Sequence, residues 1–217
     1  MKKLITLIVV SATLCTFAYA QVDIGIIAGP SFTNFIGSDA EDWGGVGDKP
    51  KMAVKFHLGL QVVYPINEKL DLVAGLQYAA KGTTYSGMPF NIDEEYKKTL
   101  SYLDIPISIQ YAVSEKFGIQ GGLQPSILLS AKVKNNQATQ DAYELPETED
   151  VKDYYSGFDL ALSLGGIYAL NEKLALQLLY QHGLLKIAKY EESGADITYK
   201  VMNQGIKLSV IYTVKKQ

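Results

Sequence analysis

The sequence predicts an all-β protein, an eight-stranded antiparallel up-and-down transmembrane β-barrel. Three observations predict it. Apolar residues alternate with small or polar residues along most of the chain, and three nearly identical short turns alternate with four longer connections. Beyond the N-terminal leader, no apolar run reaches the roughly 20 residues of a membrane helix. Strands cross a membrane with only every second residue apolar, so the third observation is compatible with a membrane protein.

The N-terminus has the pattern of a secretory signal peptide. A positively charged start and an apolar run from Leu4 to Phe17 precede Ala18-Tyr19-Ala20, which has small residues at the positions that a signal peptidase reads. We expect a signal peptide over residues 1–20 and one β-barrel domain over residues 21–217. The only cysteine, Cys15, lies in the leader, so the domain would fold without disulfides.

Period-two alternation marks each strand in turn. The large apolar residues that define the strands, in chain order, are Ile24 and Ile26; Phe56, Leu58 and Leu60; Leu72 and Leu76; Leu103, Ile105, Ile107 and Ile109; Phe117, Ile119 and Leu123; Leu160, Leu162 and Leu164; Leu174, Leu176 and Leu178; Ile206, Leu208 and Val210. Between them stand Gly, Ser, Gln, Asp and Lys. The predicted strands cover 22–35, 52–66, 70–85, 98–113, 117–133, 155–170, 174–188 and 197–214.

The connections between these strands are unequal. Asn67-Glu68-Lys69, Ser114-Glu115-Lys116 and Asn171-Glu172-Lys173 are tight polar turns, whereas the longer connections cover 37–51, 86–97, 134–154 and 189–196. Strict alternation of the two kinds places every short turn at one end of the molecule, together with both chain termini. This is the layout of an outer-membrane barrel, with short periplasmic turns and longer external loops.

Tyrosines mark the end with the short turns. Tyr64, Tyr111 and Tyr168 each precede a short turn by three residues, and Tyr212 lies near the end of the last strand. We expect these four residues to form an aromatic ring at the periplasmic interface, where amphipathic side chains are favoured.

The apolar faces are predicted to point toward lipid. The alternative is a soluble barrel or sandwich with the apolar residues inside. An eight-stranded barrel has little interior room, so small and polar residues fit there and the many leucines and isoleucines do not. If water surrounded the barrel instead, those residues would form an apolar patch far larger than soluble monomers tolerate.

Several segments resemble the Bacteroidetes-type outer-membrane β-barrel proteins of the porin family. These are Ala18-Tyr19-Ala20-Gln21, the opening Ile24 to Phe32, the repeated Asn-Glu-Lys turns, and Tyr102-Leu103-Asp104-Ile105-Pro106-Ile107, which is similar to the family's Tyr-Leu-[Glu/Asp]-[Ile/Val]-Pro strand. The resemblance covers the whole mature chain. It implies a bacterial outer-membrane location, reached through the signal peptide, with outer-membrane lipid and the barrel-assembly machinery as partners. It leaves the activity and the partner of the external loops undefined.

Polar and charged residues on the predicted inward face form the candidate site. We expect them to build an ion-paired, hydrogen-bonded network that fills the lumen, because buried charges are costly unless they are paired. The residues are Lys55, His57, Gln77, Lys81, Asp104, Gln120, Asp159 and Lys207. The leading interpretation is therefore a structural or interaction protein that presents four external loops. A passive channel for small solutes or ions is the alternative, although an eight-stranded barrel has a narrow lumen.

Composition argues against other function classes. The formal net charge is −3 and all 20 basic residues are lysines, so nucleic-acid binding is not expected. Two histidines without a cysteine in the mature chain argue against a metal site, and no cofactor motif is present. A membrane-embedded hydrolase or acyltransferase would need His57 beside a serine such as Ser108 or Ser126, and no spacing supports that arrangement. We expect no catalytic residues.

The predicted external loops carry acidic runs and aromatic residues. Acidic side chains occur at 39–42, 93–95 and 144–153, where weak calcium binding is an alternative to solvated charge. Trp43 and several tyrosines, Tyr154 and Tyr155 among them, are candidates for a rim that contacts a ligand or partner.

Overall fold

The structure, a computed structural model, describes residues 22–43, 49–87, 94–192 and 195–215. The predicted signal peptide, residues 1–20, lies outside these ranges. The strands are β1 (Asp23–Ile36), β2 (Lys49–Pro65), β3 (Leu70–Gly87), β4 (Glu94–Asp104), β5 (Ile107–Ala112), β6 (Phe117–Asn135), β7 (Thr148–Asp150), β8 (Phe158–Ala169), β9 (Leu174–Gly183), β10 (Ala188–Glu192), β11 (Ala195–Tyr199) and β12 (Met202–Lys215). A short helix α1 (Gln137–Tyr143) and a 3-10 turn (Lys152–Tyr154) connect β6 to β8. Among the described residues, no helix is long and apolar enough to cross a membrane.

The strands close into an antiparallel ring. The order around the ring is β1, β2, β3, β4 with β5, β6, β8, β9 and β12, and β12 pairs with β1 again. Since β4 and β5 occupy one position, the ring has eight members, which confirms the predicted up-and-down barrel. The hairpin of β10 and β11 stands outside the ring, and β7 adds only to the outer end of β6.

Two prolines shape the barrel wall between β4 and β6. The predicted strand 98–113 is interrupted at Ile105 and Pro106, because proline has no backbone N–H to donate to the ladder. The neighbouring strands maintain the pairing across the gap. The Ile105 N–H donates to Pro125 O at 2.8 Å, and the Gly75 N–H donates to Pro106 O at 3.0 Å.

Large apolar side chains cover the outside of the barrel. Every ring strand carries exposed Leu, Ile, Val, Phe or Tyr on one face, whereas the opposite face is buried and mostly small or polar. Leu164, for example, is 63% exposed, while its neighbour Ser163 is buried. Most leucines of the ring therefore point away from the lumen, as the packing argument predicted, whereas Leu100, Leu128 and Leu179 are buried. A surface of this kind is stable against hydrocarbon rather than water.

Side chains within the short turns hold their backbone. Asn67 Oδ1 accepts hydrogen bonds from the Lys69 N–H at 2.9 Å and the Leu70 N–H at 3.0 Å. Asn171 makes the equivalent bonds to Lys173 and Leu174, both at 2.9 Å. Asn and Ser recur at this position because a short polar side chain can satisfy backbone donors that a tight turn leaves unpaired.

The outer ends of the strands differ from the prediction. β3 continues to Gly87 and β4 begins at Glu94, so much of the predicted loop 86–97 is strand. In contrast, β9 ends at Gly183 rather than at residue 188. The segment after β9 turns inward over the barrel mouth, where the Ile187 N–H donates to Val201 O at 2.9 Å and the Ile187 side chain is fully buried. Tertiary burial overrides the local alternation there.

Candidate functional site: the lumen and the pocket above it

An ion-paired network crosses the middle of the lumen. Lys81 Nζ lies 3.2 Å from Asp104 Oδ1 and 3.5 Å from Asp159 Oδ2. Lys207 Nζ lies 3.0 Å from Asp104 Oδ2, and all four charged side chains are at most 5% exposed. Two cations therefore balance two anions. This neutrality reduces the cost of burying the charges, because each ammonium has a carboxylate within reach.

Neutral polar groups complete the network around these charges. The Lys81 ammonium also donates to Ser126 Oγ at 3.0 Å, and Asn203 Nδ2 donates to Asp159 Oδ2 at 2.9 Å. Asn203 thereby links β12 to the charged residues of the facing strands. The arrangement satisfies most donors with protein acceptors, so it fixes the side chains in one geometry.

A layer of glutamines fills the lumen below the charges, toward the short turns. Its bonds are Gln177 Nε2 to Gln120 Oε1 at 2.7 Å, Gln124 Nε2 to Asp104 Oδ2 at 2.7 Å, Gln181 Nε2 to Gln124 Oε1, and Lys207 Nζ to Gln77 Oε1 at 3.4 Å. All these glutamines are buried. Amide side chains suit this layer because each one donates and accepts at once.

His57 lies in the lumen between two serines. Its Nδ1 is 2.8 Å from Ser31 Oγ, and its Nε2 is 2.8 Å from Ser209 Oγ. A catalytic triad needs a carboxylate on the ring nitrogen that does not face the nucleophile. Both nitrogens of His57 are bonded to serines, and neither Ser108 nor Ser126 is among its partners. The histidine is therefore a bridge between β1, β2 and β12.

Lys55 is separated from the other predicted lumen residues. Its side chain is only partly buried, and its ammonium donates to Thr99 Oγ1 at 2.6 Å. Thr99 alternates with the inward-facing Leu100, so it lies on the outer surface of the wall. The β2–β3 register shifts between Met52 and His57, the segment that contains Lys55.

An apolar cluster closes the lumen above the charged network, toward the long connections. Its core consists of Phe35, Tyr85, Leu100, Tyr102, Leu128, Ala131, Tyr155, Ile187 and Val201, all at most 4% exposed. We call these residues the apolar plug. Ring strands supply six of them, and the long connections supply Tyr155, Ile187 and Val201. Tyr102 joins the plug to the network, because its ring lies 4.5 Å from Lys81 Nζ.

Among the residues that the structure describes, the lumen opens at the end with the short turns. A vestibule of about 620 Å³ there is lined by Asp23, Asp71, Gln110, Lys116 and Lys173, among others. In contrast, the spaces around the glutamines and the charged network are each about 10 Å³, too small for more than one water molecule. The interior therefore changes from an aqueous vestibule to a filled polar layer and then to the apolar plug.

A separate pocket of about 400 Å³ lies above the plug, among the long connections. It is lined by Asp42, Trp43, Lys98, Val133, Val151, Tyr154, Tyr155 and Tyr199. The Trp43 Nε1–H donates to the Tyr155 hydroxyl at 3.0 Å, and the Trp43 and Tyr199 ring centroids are 5.0 Å apart. Burial raises the pKa of the Tyr155 phenol well above its ordinary value.

One lysine organises the floor of this pocket. Lys98 Nζ donates to the Trp43 backbone carbonyl at 2.7 Å and lies 5.0 Å from the Tyr85 ring and 5.7 Å from the Tyr96 ring. Contacts with several aromatic faces stabilise the Lys98 ammonium, and the same contacts hold the rings in place. The pocket thus combines aromatic walls, apolar floor residues and charged groups, which is typical of a ligand site.

The four predicted ring tyrosines all lie at the short-turn end on the outer surface. Tyr64, Tyr111, Tyr168 and Tyr212 are between 41 and 46% exposed and stand on β2, β5, β8 and β12. They are therefore distributed around the whole circumference.

The apolar plug and Asn203 are the site features that the sequence reasoning missed. Leu100 and Tyr102 share the alternation of Asp104, so the inward position of all three was available from the pattern. The acidic run at 93–95 lies partly outside the described residues. Among the residues that the structure describes, no group of three or more His, Cys, Asp or Glu side chains is placed to hold a metal ion.

Comparison with known proteins is consistent with this architecture. The model of the family described as outer membrane protein beta-barrel domain matches residues 17–189. Among solved structures, Neisserial surface protein A superposes with a TM-score of 0.53 at 14% identity, covering 88% of this chain and 96% of that one. The attachment invasion locus protein Ail of Yersinia pestis gives a TM-score of 0.45 at 13% identity, with 88% and 98% covered. None of the curated proteins matches the sequence.

Proposed function

The chain belongs to the outer membrane protein β-barrel domain family, and from this premise we propose that it works by binding at its long-loop face while its lumen stays closed to solutes. In this proposal the short turns face the periplasm and the long connections face outward. The protein is then a small interaction-type barrel of the bacterial outer membrane. Its ligand or partner meets the external connections.

The apolar plug is the observation that carries this proposal. Phe35 and Leu100 on ring strands, and Val201 and Ile187 from the long connections, are each at most 1% exposed. Within the described part of the barrel, an apolar layer lies above a filled polar layer, and this arrangement supports a lumen without a continuous aqueous path. Ions and polar solutes would have to lose their hydration to pass, which is costly.

The pocket above the plug supports the proposal that the protein binds a ligand or partner at its long-loop face. Its volume of about 400 Å³ is in the range of small-molecule sites, and Tyr154 and Asp42 are exposed at its edge. Aromatic side chains such as Trp43 and Tyr199 provide large contact areas with little conformational entropy to lose on binding. A closed lumen beneath an open aromatic pocket favours binding over transport.

Conductance in planar bilayers tests the closed lumen. We expect no single-channel events from the folded full-length mature chain at high protein load, in bilayers where a known porin conducts. Stepwise conductance that scales with the amount of folded barrel would contradict the proposal and support the passive channel instead.

Orientation is tested by cysteine labelling in intact cells. The predicted mature chain has no cysteine, so single cysteines introduced as Tyr154→Cys and Glu172→Cys form a matched pair at opposite ends of the barrel. A membrane-impermeant maleimide should label Tyr154→Cys in intact cells, and Glu172→Cys only after the outer membrane is opened. The reverse pattern would overturn the assignment of the long connections to the exterior.

A further inference from the structure

Three aromatic side chains form one wall of the pocket above the plug. Tyr155 bridges to Ala188 on β10, and Ala188 pairs with Tyr199 on β11, so the two tyrosines stand in register across β10. Directly opposed residues of an antiparallel ladder project their side chains from the same face. The Trp43 ring contacts both tyrosine rings, with centroid distances of 5.8 Å to Tyr155 and 5.0 Å to Tyr199. We call Trp43, Tyr155 and Tyr199 the aromatic wall.

Trp43 is held in place by hydrogen bonds at each of its polar groups. Its backbone N–H donates to Asp39 O at 2.9 Å, and its carbonyl accepts from Lys98 Nζ at 2.7 Å. The indole N–H donates to the Tyr155 hydroxyl at 3.0 Å. The ring nevertheless remains partly exposed and lines the pocket. Because the indole is ordered before a ligand arrives, binding against it carries a small entropic cost.

Several polar groups at the aromatic wall have capacity for a further hydrogen bond. Among the residues that the structure describes, the Asp42 carboxylate at the pocket edge and the Tyr199 hydroxyl have no hydrogen-bond or ion-pair partner. The Tyr155 hydroxyl accepts from Trp43, but its own O–H has no acceptor in the described part of the chain. Tyr155 is only 3% exposed, so an unpaired donor there is unfavourable. A ligand that supplies both hydroxyl donors and oxygen acceptors would satisfy all three groups.

Charges around the aromatic wall oppose ligands of either sign. Lys98 Nζ lies 5.3 Å from the Trp43 ring, so a cationic ligand stacked on this ring meets an ammonium group. Asp42 is exposed at the edge of the pocket, so an anionic ligand enters past a carboxylate. A wholly apolar ligand would cover Asp42 and the tyrosine hydroxyls without replacing their contacts with water, which is costly. The pocket therefore favours a neutral ligand that has both hydroxyl groups and apolar C–H faces.

We propose that this pocket binds a neutral carbohydrate, an inference that rests on the proposed binding at the long-loop face. A pyranose ring has a face of polarised C–H groups, which the negative face of an aromatic ring attracts, and a rim of hydroxyl groups. Its hydroxyls can donate to the Asp42 carboxylate in charge-assisted bonds and accept from the Tyr155 and Tyr199 hydroxyls. The pocket volume of about 400 Å³ equals that of about a dozen water molecules, which is sufficient for a disaccharide.

Fluorescence titration of the full-length mature chain tests this inference, because Trp43 is the only tryptophan. The chain is folded in a polyoxyethylene detergent, which has no sugar headgroup to compete. The probes are the neutral disaccharides maltose, cellobiose, lactose and N,N′-diacetylchitobiose, with cyclohexanol, choline and benzoate as the apolar, cationic and anionic comparisons. We expect a saturable change of Trp43 emission with at least one disaccharide and none with the three comparisons. Longer chains of the same sugars distinguish a free sugar from a chain end as the natural source.

Substitutions at the pocket provide the matched test. Asp42→Asn replaces a charged acceptor by a neutral one and should weaken binding roughly fivefold, the difference between hydrogen bonds to charged and to neutral groups. Tyr199→Phe removes the hydroxyl, keeps the ring and should weaken binding by a similar factor of about five. The controls are Glu41→Gln, next to Asp42 but outside the pocket lining, and Tyr168→Phe at the short-turn end, and both should bind as the unmodified chain does. Calorimetry measures the affinities independently of emission, and gel mobility before and after boiling checks folding.

Lack of a saturable response to every disaccharide up to about 100 mM, in a folded chain, would overturn the inference. Losses in the two controls equal to those in Asp42→Asn and Tyr199→Phe would do so as well, because the sugar would then bind elsewhere. Saturable binding of cyclohexanol, choline or benzoate at least as tight as that of the disaccharides would exclude a carbohydrate site while leaving ligand binding at the long-loop face intact. The proposed function itself fails by different results, namely stepwise conductance or the reversed labelling pattern.

Discussion

Lys207 Nζ lies 3.0 Å from Asp104 Oδ2 in the centre of the barrel, and both side chains are almost completely buried. Asp104 also holds Lys81 at 3.2 Å, so one carboxylate balances parts of two cations from β3 and β12. The network therefore depends more on Asp104 than on any other member. The network joins strands on opposite sides of the ring. At this level of the lumen it takes the structural role that an apolar core has in a soluble protein.

Replacing Asp104 should destabilise the barrel strongly. Asp104→Asn leaves Lys81 and Lys207 with only Asp159, and breaking a buried ion pair in this way costs about 3–5 kcal/mol. The free energy of unfolding, measured by urea titration in lipid vesicles, should fall by this amount. The double variant Asp104→Asn, Lys207→Gln restores neutrality and should recover a large part of the loss. A double variant less stable than Asp104→Asn would contradict the charge-balance argument.

The alternation of residue types was sufficient to predict the ring and the side that faces lipid. Leu164 and Ser163 illustrate why, since a period of two assigns each residue to one face of a strand and an eight-stranded lumen excludes the large apolar set. The same alternation gave the inward position of Lys81, Asp104 and Lys207. It could not give their pairing distances, because these depend on the stagger between strands that are distant in sequence.

Other features depend on contacts that no local pattern contains. The bond of Lys55 to Thr99 Oγ1 lies beside a register shift opposite Gly82, which only the pairing of β2 with β3 defines. The end of β9 at Gly183 follows from burial of Ile187 under the long connections. In both places a tertiary interaction overrides a continuing local preference.

The side chain of Asn67 should contribute measurably to barrel stability. Asn67→Ala removes two hydrogen bonds to backbone N–H groups in an exposed turn, and we expect a loss of about 1 kcal/mol. Urea unfolding in vesicles measures it. Glu68→Ala, in the same turn, is the matched control and should change stability by less than half as much. Equal effects of the two substitutions would show that the side-chain acceptor is not responsible.

The bond between Trp43 and Tyr155 should be visible in fluorescence. Trp43 is the only tryptophan of the chain, so its emission reports the pocket alone. Tyr155→Phe removes the acceptor of the indole N–H while keeping the ring contact at 5.8 Å. We expect a shift of the emission maximum and greater quenching by acrylamide, because the indole is held less firmly. Tyr154→Phe, at the exposed edge of the pocket, is the control. A spectrum unchanged in Tyr155→Phe would contradict the observed bond.

The loop that carries Trp43 should respond to acid through Asp39. The Lys200 backbone N–H donates to Asp39 Oδ2 at 2.7 Å, and together with the Ser38 hydroxyl it holds the pKa of Asp39 below its ordinary value of 3.8. Because the folded-state pKa is lowered, this stabilisation is fully present above pH 3.8 and is lost as the pH falls through the lower folded-state value. The backbone N–H of Trp43 donates to the backbone carbonyl of Asp39 at 2.9 Å. The environment of the indole therefore changes when the loop moves.

Trp43 emission should therefore show an acid transition with a midpoint below pH 3.8 while the barrel stays folded by gel mobility. Asp39→Asn should abolish this transition, because the amide oxygen remains an acceptor that no longer titrates in this range. Asp42→Asn, three residues away in the same connection, should leave it in place. If the transition persisted in Asp39→Asn or disappeared in Asp42→Asn, the hydrogen bond between Asp39 and Lys200 would not be the cause of the transition. A midpoint above 3.8 would show that another group controls the loop.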